Sequence, residues 1–363
     1  RSVVGMLVMV VLVGMGEHMA EQWLPRYMLV LGGGFLSAAA LNALDNLLGA
    51  LYSFPGGYLA DRLGHKRALL LFNLIAMLGF AIVVLVPYWP AVLVASLFFL
   101  SWTAISLPAT MGLVAEVLPK NKRTMGVSVH SLVRRIPMAL GPLVGAGLIV
   151  WYGERDGVRL AFVCAFVLAL VATIVQQWLI VDDRPAGAPR RRAESRPWRV
   201  LRGFPGSLRA LLIADILVRF CEQIPYAFVV LWVVTPPAEQ AAIPTIASPV
   251  TLTQFGLLRA IEMATALLIY IPVAYQVDLG TKKPFVVATF GFFTLFPLAL
   301  WVAPSFWWLV PVFVLRGLKE FGEPARKALI MDLAPEDQKA ATFGVYYLVR
   351  DTIVSIAAFA AGF

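Results

Sequence analysis

Residues 56–67 read GGYLADRLGHKR and lie between two long apolar runs. The stretch holds a glycine pair, the Asp61-Arg62 couple and a basic exit at His65, Lys66 and Arg67. A short charged stretch between such runs reads as the turn joining two membrane spans. Its excess of basic residues places it on the cytoplasmic face.

Composition extends that reading to the whole chain. The 363 residues are 60% hydrophobic and 14% charged, with a mean hydropathy of +0.81. A soluble domain carries about 25% charged residues. Apolar runs of roughly 20 residues recur too often for one buried soluble core. Eleven spans are expected, at 3–31, 36–60, 67–88, 90–118, 124–151, 158–181, 208–235, 250–277, 284–303, 305–333 and 339–363. They read as helices, because barrel strands would alternate at every second residue. The predicted fold class is therefore an all-α membrane protein. The first run contains Glu17, His18, Glu21 and Arg26 and ends at no small-residue cleavage site, so it reads as a span and not as a cleaved leader. Cys164 and Cys221 each lie inside an apolar run, and neither a disulfide nor a metal is expected from them.

The net charge of +9 sits where a membrane topology would put it. Basic residues gather at 62–67, 120–123, 282–283 and along 182–209. The intervening loops LGGG, PYWP, TPPAEQAAIPTIASPVT and APSFW contain none, and only YGERDGVR, with Arg155 and Arg159, departs from the pattern. The amino terminus and the 182–207 linker are thus expected in the cytoplasm, with the arginines at 190–192 on lipid headgroups and no nucleic acid as partner. The expected setting is the inner (plasma) membrane of a bacterium.

The chain also repeats itself. PATMGLVAEVLPKNKRTMGVSVHSLVRR, starting at 108, aligns without gaps on PARKALIMDLAPEDQKAATFGVYYLVRD, starting at 324. Pro119 falls on Pro335, Glu116 on Asp332 and Arg134 on Arg350. SFPGGYLADRLG, from 53, matches YIPVAYQVDLGT, from 270, and pairs Asp61 with Asp278. EQWLPRYMLVL in the first span echoes EQIPYAFVVLW in the seventh, matching Glu21 to Glu222. Two parallel six-span halves follow: 1–181 and 208–363, joined by the 182–207 linker. The second half shows five spans, so a twelfth is expected beyond this stretch.

The 56–67 stretch resembles the signature loop between spans two and three of the major facilitator superfamily of secondary transporters, G-x-L-a-D-R-x-G-r-k-r, with His65 where Arg or Lys is usual. The duplicated halves extend the resemblance over the whole chain. It implies two pseudo-symmetric six-helix bundles and a loop that closes on neighbouring helices to hold the outward-facing state. On that resemblance Gly57, Asp61, Arg62 and Gly64 are gating residues. Glu116 is the expected partner of Arg62, and Asp278 and Asp332 are weaker echoes. ALGPLVGAG, at 139–147, partly resembles the span-five motif of drug/proton exporters, G-x-x-x-G-P-x-x-G-G. Gly141, Pro142 and Gly145 fit; Pro137 and Ala146 stand where glycines are usual. Small residues there also serve close helix packing. The motif tilts the resemblance towards the proton-coupled exporter branch.

Charged groups inside hydrocarbon are costly and face a cavity or a partner. Spans three, six and nine carry none in their interiors and read as lipid-facing supports; the other spans line an interior. A carboxylate in an apolar cavity can exchange a proton near neutral pH. Glu21 and Glu222, and behind them Glu17, Glu320 and Glu323, are the candidate proton carriers. Arg134 and Arg350, with Arg135, Arg219 and Asp351, are the candidates for gripping an anionic solute. The competing reading makes all of these structural ion pairs. The expected function is proton-coupled export of an amphipathic or anionic organic solute by alternating access. The alternatives are proton-symport uptake of an organic anion and a non-transporting receptor or scaffold. The protein is expected to be a monomer whose partners are solute, protons and membrane lipids, with no cofactor. Enzyme chemistry is not expected. The only histidines are His18, His65 and His130, no metal triad or nucleophile–histidine pair is present, and no glycine loop precedes Lys-Ser/Thr.

Overall fold

The computed structural model describes residues 1–21, 23–33, 41, 44, 45, 47–100, 102–181, 196–226, 229, 233 and 247–360. The linker residues 182–195, the loop residues 234–246 and the predicted start of span two at 36–40 lie outside them. Among the described residues all regular structure is helical. The helices are α1 (Ser2–Glu21), α2 (Leu24–Val30), α3 (Ser53–Leu63), α4 (His65–Leu85), α5 (Trp89–Phe99), α6 (Trp102–Val117) and α7 (Arg123–Leu179). Then come α8 (Pro197–Arg202), α9 (Gly206–Tyr226), α10 (Leu252–Leu279), α11 (Lys283–Val302), α12 (Phe306–Leu318), α13 (Glu323–Leu333) and α14 (Lys339–Ala360). Among the described residues six helical stretches are long and apolar enough to cross a membrane, and one of them, Lys120–Leu179, has length for two crossings.

Two glycines set the breaks between these spans. The 56–67 stretch is almost entirely helical: α3 runs on through Leu63 and α4 begins at His65. The turn is made by Gly64 alone, at φ +89°. A residue with a Cβ is strained there, which is why the turn needs glycine. Spans five and six are divided in the same way inside α7, at Gly153, with φ +81°.

The repeat seen in the sequence is reproduced locally. Pro119 and Pro335 are both extended and each opens a one-turn 3₁₀ helix, Lys120–Lys122 and Glu336–Gln338. Each leads straight into a long helix, α7 or α14. Proline suits this point because its fixed φ and missing N–H stop the preceding helix without leaving a donor unpaired.

The chain forms two compact units, each taking in a short piece of sequence from beyond its own half. The first comprises 1–118, 130–204 and 334–348; the second comprises 119–129, 205–333 and 349–363. In the first, Phe80, Phe99 and Phe162 make a buried triangle with ring centroids 5.2, 5.4 and 6.0 Å apart. Spans three and six, free of charge, still carry a buried polar chain. Trp102 Nε1 donates to Asn73 Oδ1 (3.1 Å), Asn73 Nδ2 to Gln176 Oε1 (2.8 Å), and Gln176 Nε2 to the Lys66 carbonyl (2.8 Å). Such uncharged bonds tie helices together in hydrocarbon without the penalty of a charge. In the second unit Phe255, Phe296 and Phe313 pack edge to face around Leu258, Leu300 and Leu309.

Candidate functional site

Asp61 is buried on the last turn of α3. Its two carboxylate oxygens accept from the backbone N–H groups of Ala340 (3.2 Å) and Ala341 (2.6 Å), in the first turn of α14. These N–H groups have no partner within their own helix, and the positive end of the helix dipole lies there, so a carboxylate is the matching cap. Gly57, one turn earlier, lets the backbones meet: a Cβ at that position would strike the Ala340 carbonyl. Both residues, together with 334–348, belong to the first unit.

The second unit repeats the device. Asp278, at the end of α10, accepts from the N–H groups of Thr124 (3.1 Å) and Met125 (2.8 Å), in the first turn of α7. These are the repeat counterparts of Ala340 and Ala341. The sequence comparison made Asp278 a weaker echo of Asp61, yet its geometry is equivalent. The flanking pairs match as well. His65 Nδ1 lies 3.2 Å from Glu116, and its counterpart Lys282 pairs with Asp332, which Arg123 also contacts. Glu116 therefore meets His65, not the Arg62 expected from the family pattern. Arg62 donates instead to the Tyr58 hydroxyl (2.7 Å), one turn back on its own helix. The unusual His65 of the signature stretch is what reaches Glu116.

A second constellation lies within the second unit's membrane helices. Asp215 is fully buried and pairs with Arg326, and also meets Arg350 (3.6 Å) and Arg219 (3.8 Å). Glu323 pairs with Arg326, with Arg219 (3.1 Å) and with Lys327 (3.3 Å). Glu222 takes Lys319 Nζ at 2.7 Å on one oxygen and faces Arg219 at 3.6 Å on the other. Glu320 accepts from the Tyr270 hydroxyl (2.8 Å), and Arg350 bonds its neighbour Asp351 (2.7 Å). Arg316 lies 3.4 Å from Glu262, which Arg259 also contacts. Phenyl rings back the cations: Arg219 sits 5.0 Å from the Phe293 centroid and Arg316 5.0 Å from that of Phe296. The side chains of this constellation just named comprise seven basic groups (Arg219, Arg259, Arg316, Lys319, Arg326, Lys327, Arg350) and six carboxylates (Asp215, Glu222, Glu262, Glu320, Glu323, Asp351). One positive charge is in excess, in surroundings where it is costly.

The first unit is sparser. Glu17 is buried and accepts from Thr103 Oγ1 (3.2 Å). Arg134 lines a narrow polar cavity with His18, Thr103, Ser106, Thr110 and His130. Glu21 is half-buried at the end of α1, and Arg135 is half-buried on α7. The side chain of Arg26, the nearest cation to Glu21 in sequence, lies outside the described residues. Gly145 packs so closely on α1 that a Cβ would strike the Met19 carbonyl.

The structure thus brings Arg219, Glu222, Glu323, Arg350 and Asp351 into one connected set of ion pairs. It gives Glu320 a tyrosine and Glu17 a threonine. Reading the sequence missed Lys319 as the partner of Glu222, Arg326 as the partner of Asp215, and Tyr270. Their spacing along each helix is visible in the sequence, but which helices face one another is not. The repeat already paired Asp278 with Asp61 and Glu116 with Asp332, which marked these positions but not the groups they meet.

Comparison with known proteins closes the description. The Major Facilitator Superfamily profile matches residues 2–237. The minor myo-inositol transporter IolF of Bacillus subtilis is 28% identical over 152 residues, covering 41% of this chain and 33% of that transporter. The human organic anion transporter MFSD10 superposes with a TM-score of 0.75 at 15% identity, covering 99% of this chain and 92% of that one. The Escherichia coli fucose:proton symporter FucP gives a TM-score of 0.74 at 13% identity, over 100% of this chain and 94% of the symporter. A helical architecture with several membrane-crossing segments, a repeated half and a profile match over most of its length make this chain a member of the major facilitator superfamily of membrane transporters.

Proposed function

We propose that the chain is a proton-coupled secondary transporter of an organic anion, working by alternating access as a monomer in the inner membrane of a bacterium. The observation behind this reading is Glu222 between Lys319 and Arg219. Ionised, the carboxylate neutralises those cations. Protonated, it releases them in a region that already holds one positive charge in excess, and an anionic solute is the natural replacement. Proton and anion then bind together, which is the sign of symport, and an inward proton gradient drives uptake. Arg350, shared by Asp215 and Asp351, is the second group suited to grip the anion. The names of two structural neighbours, an organic anion transporter and a proton symporter, are in keeping with this reading. Export by proton antiport is the second reading. It draws on the partial 139–147 motif, whose Gly145 is used for close packing on α1. In both readings Asp61 and Asp278 act as a pair of latches on α14 and α7.

The test is transport into proteoliposomes of one orientation with an imposed pH gradient, over a panel of anionic, neutral and cationic organic solutes. External acid should drive anions inward. Expulsion of the solute against the proton gradient would establish antiport, and indifference to pH would remove the proton from the cycle.

A further inference from the structure

The two latches match in their capping carboxylates and differ in the side chain beside them. The second has Lys282 against Asp332, with Arg123 as a further cation; the first has His65 against Glu116. Lysine and arginine side chains carry their charge throughout the neutral range. Imidazole is the side chain that gains or loses a proton between about pH 5 and 8.

The first latch is shaped to take that ring. His65 is 8% exposed, and its Nε2 edge lies over Gly112, on α6 one turn before Glu116. A Cβ at Gly112 would collide with the imidazole. With that edge seated on the glycine, Nδ1 lies 3.2 Å from Glu116 Oε2. The repeat sets Ala328 opposite Gly112, in the half where lysine replaces the histidine. A slender lysine stem needs no such gap, so the ring and the gap go together. The Glu116 side chain is 43% exposed, which gives the pair access to protons from water. The other charges on the surrounding elements are engaged elsewhere. Asp61 caps α14, Arg62 donates to the Tyr58 hydroxyl, and Lys66 Nζ donates to the Gln177 carbonyl (2.9 Å). Lys339 pairs with Glu336 (2.5 Å), and Arg67 is exposed. Glu116 is the group placed to answer an imidazolium charge.

We infer that His65 is a proton-binding site on the first latch, through which acid on the cytoplasmic side tightens that latch and leaves the second unchanged. A proton taken up from water by the imidazole turns its contact with Glu116 into an ion pair with a charge-assisted hydrogen bond. His65 follows the one-residue turn at Gly64, four positions after Asp61. Tying it to α6 fixes the end of α3 from which Asp61 caps α14. As the pH rises the ring becomes neutral, the pair weakens, and the cap on Ala340 and Ala341 opens more often. The site lies wholly within the first unit and depends neither on the solute nor on the ion that drives transport.

The two latches supply both the readout and its control. In lipid nanodiscs, residue-resolved hydrogen exchange of the Ala340 and Ala341 amides is measured at about pH 6 and about pH 8, on either side of an ordinary imidazole titration, and divided by the intrinsic rate at each pH. The Thr124 and Met125 amides report the second latch in the same sample. Protection at Ala340 and Ala341 should be about two- to fivefold greater at the lower pH, as for one ion pair with an exposed partner, and unchanged at Thr124 and Met125. His65→Lys, which the Gly112 gap has room for, should remove the pH dependence of the first latch. The sequence holds only three histidines, so carbon-13 NMR of labelled imidazole follows His65 directly, its signal being the one lost in His65→Lys. That signal should titrate between about pH 5 and 8, and Glu116→Gln should move its midpoint to lower pH. A His65 that does not titrate in that range, an equal response of the two latches, or no response of the first would overturn the assignment. The comparison of latches is made on the unsubstituted chain, so it decides the matter even if a variant fails to insert.

Discussion

At the scale of single residues, what matters is which partner each buried charge has. Glu222 is held by two cations, so Glu222→Gln keeps its shape but can no longer alternate between charged and neutral forms. That substitution should abolish pH-driven uptake while leaving solute exchange at equal pH within about threefold, as losing only the proton-linked step predicts. Counterflow of labelled solute in proteoliposomes separates the two. Glu21→Gln is expected to do the same if the repeat carries function as well as shape. If both variants keep full pH-driven transport, the proton passes elsewhere, with Glu17, Glu320 and Glu323 next in line. Asp215 differs. It is fully buried among Arg326, Arg350 and Arg219, and Asp215→Asn leaves several cations without their counter-charge. Loss of one member of such a set costs about 3–5 kcal/mol. The expected outcome is a lower yield of inserted protein and a lower unfolding temperature in detergent, before any defect specific to transport.

At the scale of elements, each latch joins the end of one helix to the start of another. Asp61 caps α14 and Asp278 caps α7, with similar distances. Neutralising either removes a charge from two backbone donors at a helix N-terminus, a loss of about 1–2 kcal/mol. Asp61→Asn and Asp278→Asn should therefore slow transport to a similar degree, about tenfold each, with the protein still inserted. Initial-rate uptake against surface expression measures this. A normal rate for Asp278→Asn beside a slow Asp61→Asn would show that only the first latch gates. Gly57→Ala should match the Asp61 defect by a steric route, since its Cβ would strike the Ala340 carbonyl and push the first turn of α14, with its N–H donors, away from the Asp61 carboxylate.

At the scale of the whole molecule, topology is the quantity to test. The positive-inside argument puts the 182–207 linker in the cytoplasm and the 235–251 loop on the far side. A cysteine placed at 186–197 should react with an impermeant thiol reagent only from the cytoplasmic face, and one at Ala241 or Ala242 only from outside. Reversed labelling in intact cells and inside-out vesicles would invert the assigned orientation and, with it, the direction of coupled transport.

The sequence by itself determined the membrane class, the helical fold, the family and the internal repeat. These rest on composition, on run length against bilayer thickness and on spacing along one chain, all of which are local quantities. It also marked Asp61 and Gly64 through the resemblance of 56–67 to the family's signature loop, and the one-residue turn at Gly64 is local, since it needs a conformation only glycine tolerates. Only the tertiary structure decided that Glu116 meets His65 and not Arg62, that Glu222 is held by Lys319, and that Asp278 caps α7 as fully as Asp61 caps α14. Pairings of that kind depend on which faces of distant helices pack together. In hydrocarbon many such faces are equally apolar, so the pattern along the chain does not distinguish them. The reach of each long charged side chain, a few ångströms either way, then settles which partner it takes.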